Sequence, residues 1–337
     1  TKAVASFQAA ESKSTTDQKL LKRKQIEPKQ AHKWREVKLP QPLLEASKQI
    51  ALFHNYELLP DVLPELKWLA QPQSEARGPP VVCIHDFTGL LWGFSALAPR
   101  ISRTGCLGIQ SSLALLDGCA SMQDIASKYT ELLPKALWRK QDPVRLVAYS
   151  LGCRIAYWMA CFLESEGRAV ELVLLDGPAC GDNGYPPRMG GYAQQVANEI
   201  RVKMGVPPRC EDSVPSSPGT SQATSQNSVQ FAFMKRSGAF STLFKMLEDE
   251  GGDAPATAIK LIETPDMLVK ELPPLRAPVL FVCTRQMREN GTVDVVSQRI
   301  PHVNIHEVAG DHFSFITKRA DDVAKVLQEW SVQSRLD

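Results

Sequence analysis

Short, largely apolar runs separated by helix-period stripes govern what this chain can become. Val81–Ile84 (VVCI), Cys106–Ile109, Val144–Ala148, Val170–Leu175, Pro278–Val282 and Val303–Val308 are each too short for a stable helix. The first of them, a continuous apolar run, fits a strand buried on both faces of a sheet, and the others read as further strands. Between them lie apolar residues at helical spacing. One stripe has positions 125, 129, 132, 133, 136 and 137; a second has Ile155, Trp158, Met159, Phe162 and Leu163. A closing helix has Asp321 and Asp322 in its first turn, with Val323, Val326, Leu327 and Trp330 on one face. Strands alternating with helices imply βαβ units, because a parallel neighbour is reached only through a crossover. The expected class is α/β, with a mainly parallel central sheet flanked by helices.

The alternation stops at Gly177 and resumes near Pro278. The residues between include Pro186-Pro187, a low-complexity stretch from Ser213 to Ser228 and one helix-like segment, Phe240–Leu247. Gly190-Gly191 and Gly251-Gly252 read as loop glycines. The chain therefore divides into an N-terminal linker or extension, partly disordered, over 1–75; a core over 76–177 and 276–337; and an inserted lid over 178–275. Within the extension, the apolar clusters from Leu43 to Leu69 read as a helical segment packed on the core. The Ala76-Arg-Gly-Pro-Pro80 punctuation marks its end.

Bulk properties exclude several classes of function. The net charge is +2, and the one basic stretch, Lys19–Lys38, lacks interleaved aromatics, so no nucleic-acid partner is expected. None of the eight cysteines stand at C-x-x-C spacing, so no zinc site and no other metal is expected. Cys83, Cys161 and Cys283 sit in apolar runs as small hydrophobes, which fits the cytoplasm or another reducing compartment. No apolar run approaches the ~18 residues of a membrane span. The chain opens on Thr rather than Met and reads as a piece of a longer polypeptide, so targeting is not legible.

The chemistry concentrates at Ala148-Tyr-Ser-Leu-Gly152, between a strand and a helix. A nucleophile on a sharp strand-to-helix turn needs small residues two before and two after it. Ala148 and Gly152 meet that need around Ser150. His312 follows the last strand through Ala309-Gly310-Asp311, where a neutral imidazole could take the Ser150 proton. His302, His306, His32, His54 and His85 are poorer candidates for the base, and Asp311 reads as a loop former. Asp176, ending the run Val170–Leu175, is the preferred acid to orient His312. The alternatives, Glu289 and Asp294, stand well past the strand ending at Val282. Two N–H donors must face the developing oxyanion. One is assigned to Leu151. The other is assigned to the loop after Ile84, to Phe87 first and Asp86 second.

The sequence resembles the thioesterase domains of animal fatty acid synthases and type I polyketide synthases over roughly residues 79 to 334. The resemblance rests on Val82–Gly89, Thr104–Gln110, Ser121–Ala126, Arg145–Cys153, Leu174–Pro178 and Glu307–His312. It implies the α/β-hydrolase fold and a triad acid at the end of the early strand, hence Asp176. It also implies release of an acyl or polyketide chain from the phosphopantetheine of an acyl carrier protein, through an ester on Ser150, by hydrolysis or cyclisation. The carrier domain would be part of the same polypeptide, and the chain would need no cofactor of its own. Phe231, Phe233, Phe240, Leu243 and Phe244 of the insertion would line an acyl pocket. The loop His85-Asp86 departs from the His-Pro common in relatives. Two other readings share these residues: a carboxylesterase or lipase of the same fold, and a hydrolase-like binding module without catalysis.

Overall fold

A computed structural model describes residues 65–73, 78–134, 142–177, 190–203, 239–264, 273–289 and 291–333. The apolar runs become strands of one seven-stranded sheet. These are β1 (Leu66–Ala70), β2 (Val81–Ile84), β3 (Cys106–Ile109), β4 (Val144–Tyr149), β5 (Val170–Leu175), β6 (Val279–Thr284) and β7 (Asn304–Val308). Their order across the sheet is β1-β3-β2-β4-β5-β6-β7. All pairings are parallel except that of β1 with β3.

Because side chains alternate along a strand, each strand feeds two cores. Leu146 and Ala148 of β4 enter one core, beside Ile125 and Tyr129 of α3 (Met122–Leu132) and Ile155 and Met159 of α4 (Gly152–Ser165). Val147 and Tyr149 enter the other, beside Leu97 of α1 (Phe94–Ile101) and Val323 and Leu327 of α11 (Ala320–Gln333). Complete burial of one such side chain contributes about 1.5–3 kcal/mol. Glu171, buried on β5, lies opposite Arg145 of β4 and is paired with it at 2.5 Å, which offsets part of the cost of its desolvation. Short helices complete the connections: α2 (Leu113–Leu116), α8 (Arg285–Glu289), α9 (Thr292–Arg299) and α10 (His312–Thr317).

Two expectations are corrected. The helical extension is, in its described last part, strand β1, so the sheet begins before the expected boundary at 75. Leu66 and Trp68 turn to one core, Leu69 and Ala70 to the other. The five-residue stretch LKWLA fits either periodicity, and pairing with distant β3 decides it. Gly190-Gly191 opens a helix, α5 (Gly190–Lys203), rather than a loop. The insertion also contains α6 (Ala239–Glu250), which extends the expected Phe240–Leu247 segment, and α7 (Ala254–Glu263), which had no clear signal. The low-complexity stretch and the first 64 residues lie outside the described residues.

Candidate active site

Five loops at the carboxyl ends of parallel strands converge, the place where this architecture gathers its chemistry. Ser150 follows β4 at φ 56, a left-handed conformation uncommon outside glycine. Its N–H donates to the Leu175 carbonyl of β5 at 2.9 Å, which fixes the turn against the neighbouring strand. On its other side the turn approaches the end of β2, which explains the small residue two positions on. A Cβ on Gly152 would stand 2.0 Å from the carbonyl oxygen of His85. Gly177 is constrained in the same way, since its Cβ would stand 2.0 Å from the Ser150 carbonyl oxygen.

His312 Nε2 lies 3.0 Å from Ser150 Oγ, and its Nδ1 lies 2.7 Å from Asp176 Oδ2. The carboxylate can only accept, so Nδ1 carries the proton and Nε2 presents a lone pair to the Ser150 hydroxyl. Asp176 is 1% exposed and has φ 47. Glu289 lies at the exposed end of α8 and pairs with Arg285; Asp294 lies on α9. Neither meets His312. Asp311 caps α10, its carboxylate accepting from the N–H groups of Phe313 and Ser314. His302 and His306 are exposed.

Sequence reasoning missed the residues that hold this array. Thr284, ending β6, donates both its N–H and its hydroxyl to Asp176 Oδ1. The Tyr149 ring stacks on His312 at 4.9 Å between centroids, and its hydroxyl donates to the His312 carbonyl. Trp92 stacks on Phe313 and meets Tyr149 edge-on. A Tyr directly before the serine was visible in the sequence. Its contact with a residue 163 positions away was not.

The loop after β2 is built by Asp86. Its Oδ1 accepts from the Thr88 N–H at 2.8 Å and the Thr88 hydroxyl, and its Oδ2 accepts from the Trp92 indole at 2.9 Å. This side-chain turn spans Phe87. Among the described residues, no acceptor takes the N–H of Phe87 or that of Leu151. Burial pushes the Asp86 carboxyl above its usual range, against the pull of its donors and of nearby His312. His85 is fully buried, and burial lowers it to about 4. Its Nδ1–H donates to the Asp86 carbonyl, and its Nε2 accepts from the Tyr129 hydroxyl, both at 2.5 Å. The neutral ring thus ties the loop to α3.

The insertion helices pack over this loop. Phe244 and Leu247 of α6, Ile200 of α5 and Ala258 of α7 form one apolar cluster with Leu90, against which Phe87, Trp92 and Phe313 are packed. Gly89, at φ 80, lets α7 approach: its Cβ would meet Thr257 and Leu261 at 3.0 and 3.2 Å. Of the expected pocket residues, Phe244 is in this cluster. Phe240 and Leu243 belong to α6, and their side chains lie outside the described ones. Phe231 and Phe233 lie outside the described residues. Among the described residues, no cluster of His, Cys, Asp and Glu could hold a metal ion, and no helix is long and apolar enough to cross a membrane.

A family model described as thioesterase domain matches residues 79–331. Among curated proteins, malpinin synthetase of Mortierella alpina is 32% identical over 111 residues, which are 32% of this chain and 1% of that protein. The chain thus spans about 1% of the length of the curated relative it matches. Among solved structures, the Vlm2 thioesterase domain bound with a dodecadepsipeptide aligns with a TM-score of 0.51 at 16% identity, covering 78% of this chain and 97% of that one. The NocB thioesterase domain in covalent complex with a fluorophosphonate nocardicin G analog aligns at 0.50 and 19%, covering 78% and 98%. A four-domain nonribosomal peptide synthetase aligns at 0.50 and 16%, covering 80% of this chain and 20% of that one. At these identities the likeness is one of fold, the α/β-hydrolase type.

Proposed function

Since the chain belongs to the thioesterase domain family, we propose that it releases an acyl or polyketide chain from the phosphopantetheine thiol of an acyl carrier protein, through an ester on Ser150. His312 Nε2 takes the hydroxyl proton as Ser150 Oγ attacks the thioester carbonyl. The oxyanion faces the N–H groups of Leu151 and Phe87, donors held in place by the folded backbone. The intermediate collapses, the C–S bond breaks, and the imidazolium gives its proton to the departing thiolate, which leaves as the thiol. Water, or a hydroxyl or amine of the chain itself, then attacks the ester with His312 again as base. Asp176 holds the imidazole in the productive tautomer and steadies its positive charge.

The observation that supports this reading is the hydrogen-bonded chain Ser150–His312–Asp176, at 3.0 and 2.7 Å. In the same reading the insertion is the lid, with the cluster around Phe244 at the acyl pocket. The carrier domain is part of the same polypeptide. The length of the synthetase matched in Mortierella alpina supports that arrangement. Six free cysteines among the described residues fit a reducing compartment. Intact-protein mass after fluorophosphonate treatment tests the reading. One adduct on wild type, absent in Ser150→Ala, is expected, with faster turnover of an acyl thioester than of its oxygen ester. An unmodified wild type would overturn it and favour the binding-module reading.

A further inference from the structure

We propose that Thr284 is a positioning residue for Asp176: its hydroxyl commits one carboxylate oxygen, so that the other alone serves His312. The inference rests on the catalytic reading of Ser150, His312 and Asp176 above. Asp176 Oδ1 receives the Thr284 N–H at 2.7 Å and the Thr284 hydroxyl at 2.9 Å, whereas Oδ2 receives His312 Nδ1 at 2.7 Å. Rotation of a carboxylate about its terminal torsion has no sharp intrinsic preference. Two donors from one residue, on one oxygen, remove that freedom.

The direction of the hydroxyl proton is also fixed. Thr284 Oγ1 accepts from the Met287 N–H at 3.4 Å, in the first turn of α8, so its single proton is left for Asp176. Thr284 is 1% exposed, so water does not replace that donor. The frame around it is rigid. The Asp176 N–H donates to the Val282 carbonyl at 2.8 Å, which binds the end of β5 to β6 two residues before Thr284. Asp176 itself has φ 47, a conformation that persists where surrounding contacts over-determine it. The end of β6 thus supplies no acid of its own. It supplies the two donors that make an acid on β5 usable.

A hydrogen bond to a carboxylate also spreads its charge. Without the hydroxyl, more charge remains on Oδ2 and the protonated imidazole is favoured, so more acid must be removed before His312 is free to act as base. Among the described residues, the other titratable groups around the pair are Asp86 from the loop after β2, Tyr149 of β4, Cys153 of α4 and Cys283 of β6. All are retained in the variants below.

The experiment is the pH profile of kcat/KM for an acyl thioester, on wild type, Thr284→Val and Thr284→Ser, with fluorophosphonate labelling of wild type in parallel. Thr284→Val is expected to lower the plateau roughly ten- to a hundredfold, the scale of one hydrogen bond to a charged group. Its acid limb should move to higher pH. Thr284→Ser, which keeps the hydroxyl, should restore both. If Thr284→Val does not fold, Thr284→Ala carries the same expectation. A wild type that labels while the hydroxyl-free variant matches it in plateau and limb overturns the role of Thr284 alone. So does a lowered plateau with an unmoved limb that Thr284→Ser does not restore. A wild type that takes no label overturns the catalytic reading and this inference together.

Discussion

Replacing Gly152 by Ala should disable catalysis without touching any group that reacts. The added Cβ would stand 2.0 Å from the His85 carbonyl oxygen and 2.9 Å from that of Ile84. Real Cβ contacts essentially never fall below 3.0 Å, so backbone must yield by at least about 1 Å. On one side of the contact is the first turn of α4, next to Ser150. On the other is the loop that presents Phe87, held by the buried His85–Tyr129 bond. A misplacement of 1 Å costs on the order of a hundredfold in rate. Complete loss of one oxyanion donor costs about 10²–10³ in kcat. We therefore expect Gly152→Ala to lower kcat about a hundred- to a thousandfold on an acyl N-acetylcysteamine thioester, with KM changing far less. Overpacking of this kind should cost about 1–3 kcal/mol of stability, read from urea midpoints. A Gly152→Ala enzyme within threefold of wild type, with an unchanged midpoint, would refute the argument that this contact sets the oxyanion geometry.

Two further outcomes follow from the buried polar groups of the same loop. His85 is lowered to about 4 by burial, whereas the unfolded chain titrates near 6.5. The unfolded state therefore binds more protons between those values, and stability present at neutral pH is lost as pH falls through that window. The loss should amount to about 3 kcal/mol; urea midpoints at pH 7 and 4.5 should show it in wild type and a flatter trend in His85→Gln. Asp86→Asn sets an amide donor against the Trp92 indole donor across 2.9 Å. It should cost about 1–3 kcal/mol of stability. In the double variant with Trp92→Phe most of that cost should vanish, so strictly additive losses would sink the assignment.

What the sequence determined by itself is what neighbouring residues encode. The apolar runs specify strands and the helical stripes specify the crossovers, while β7, half polar in sequence, is largely exposed. The small residues at 148 and 152 mark Ser150 as an elbow, and Asp311 before His312 reads as a loop former. All of these depend on residues within a few positions of one another, where periodicity and turn chemistry act. Asp176 was legible for a different reason: the stretch after Val282 reads Cys-Thr-Arg-Gln-Met-Arg, without an acid.

The tertiary structure alone decided the rest. Five residues from Leu66 became an edge strand because β3 offered them unpaired backbone, not because of their own pattern. Thr284 met Asp176 across 108 positions, and His312 met it across 136, because the sheet order sets β5, β6 and β7 side by side. The insertion helices found Leu90 and Phe87 through apolar burial that no short window records. Hydrophobic burial is non-directional, so the pattern states that a face will be covered but not by what. The partner is chosen only when the strands take their places and their carboxyl ends bring distant side chains together.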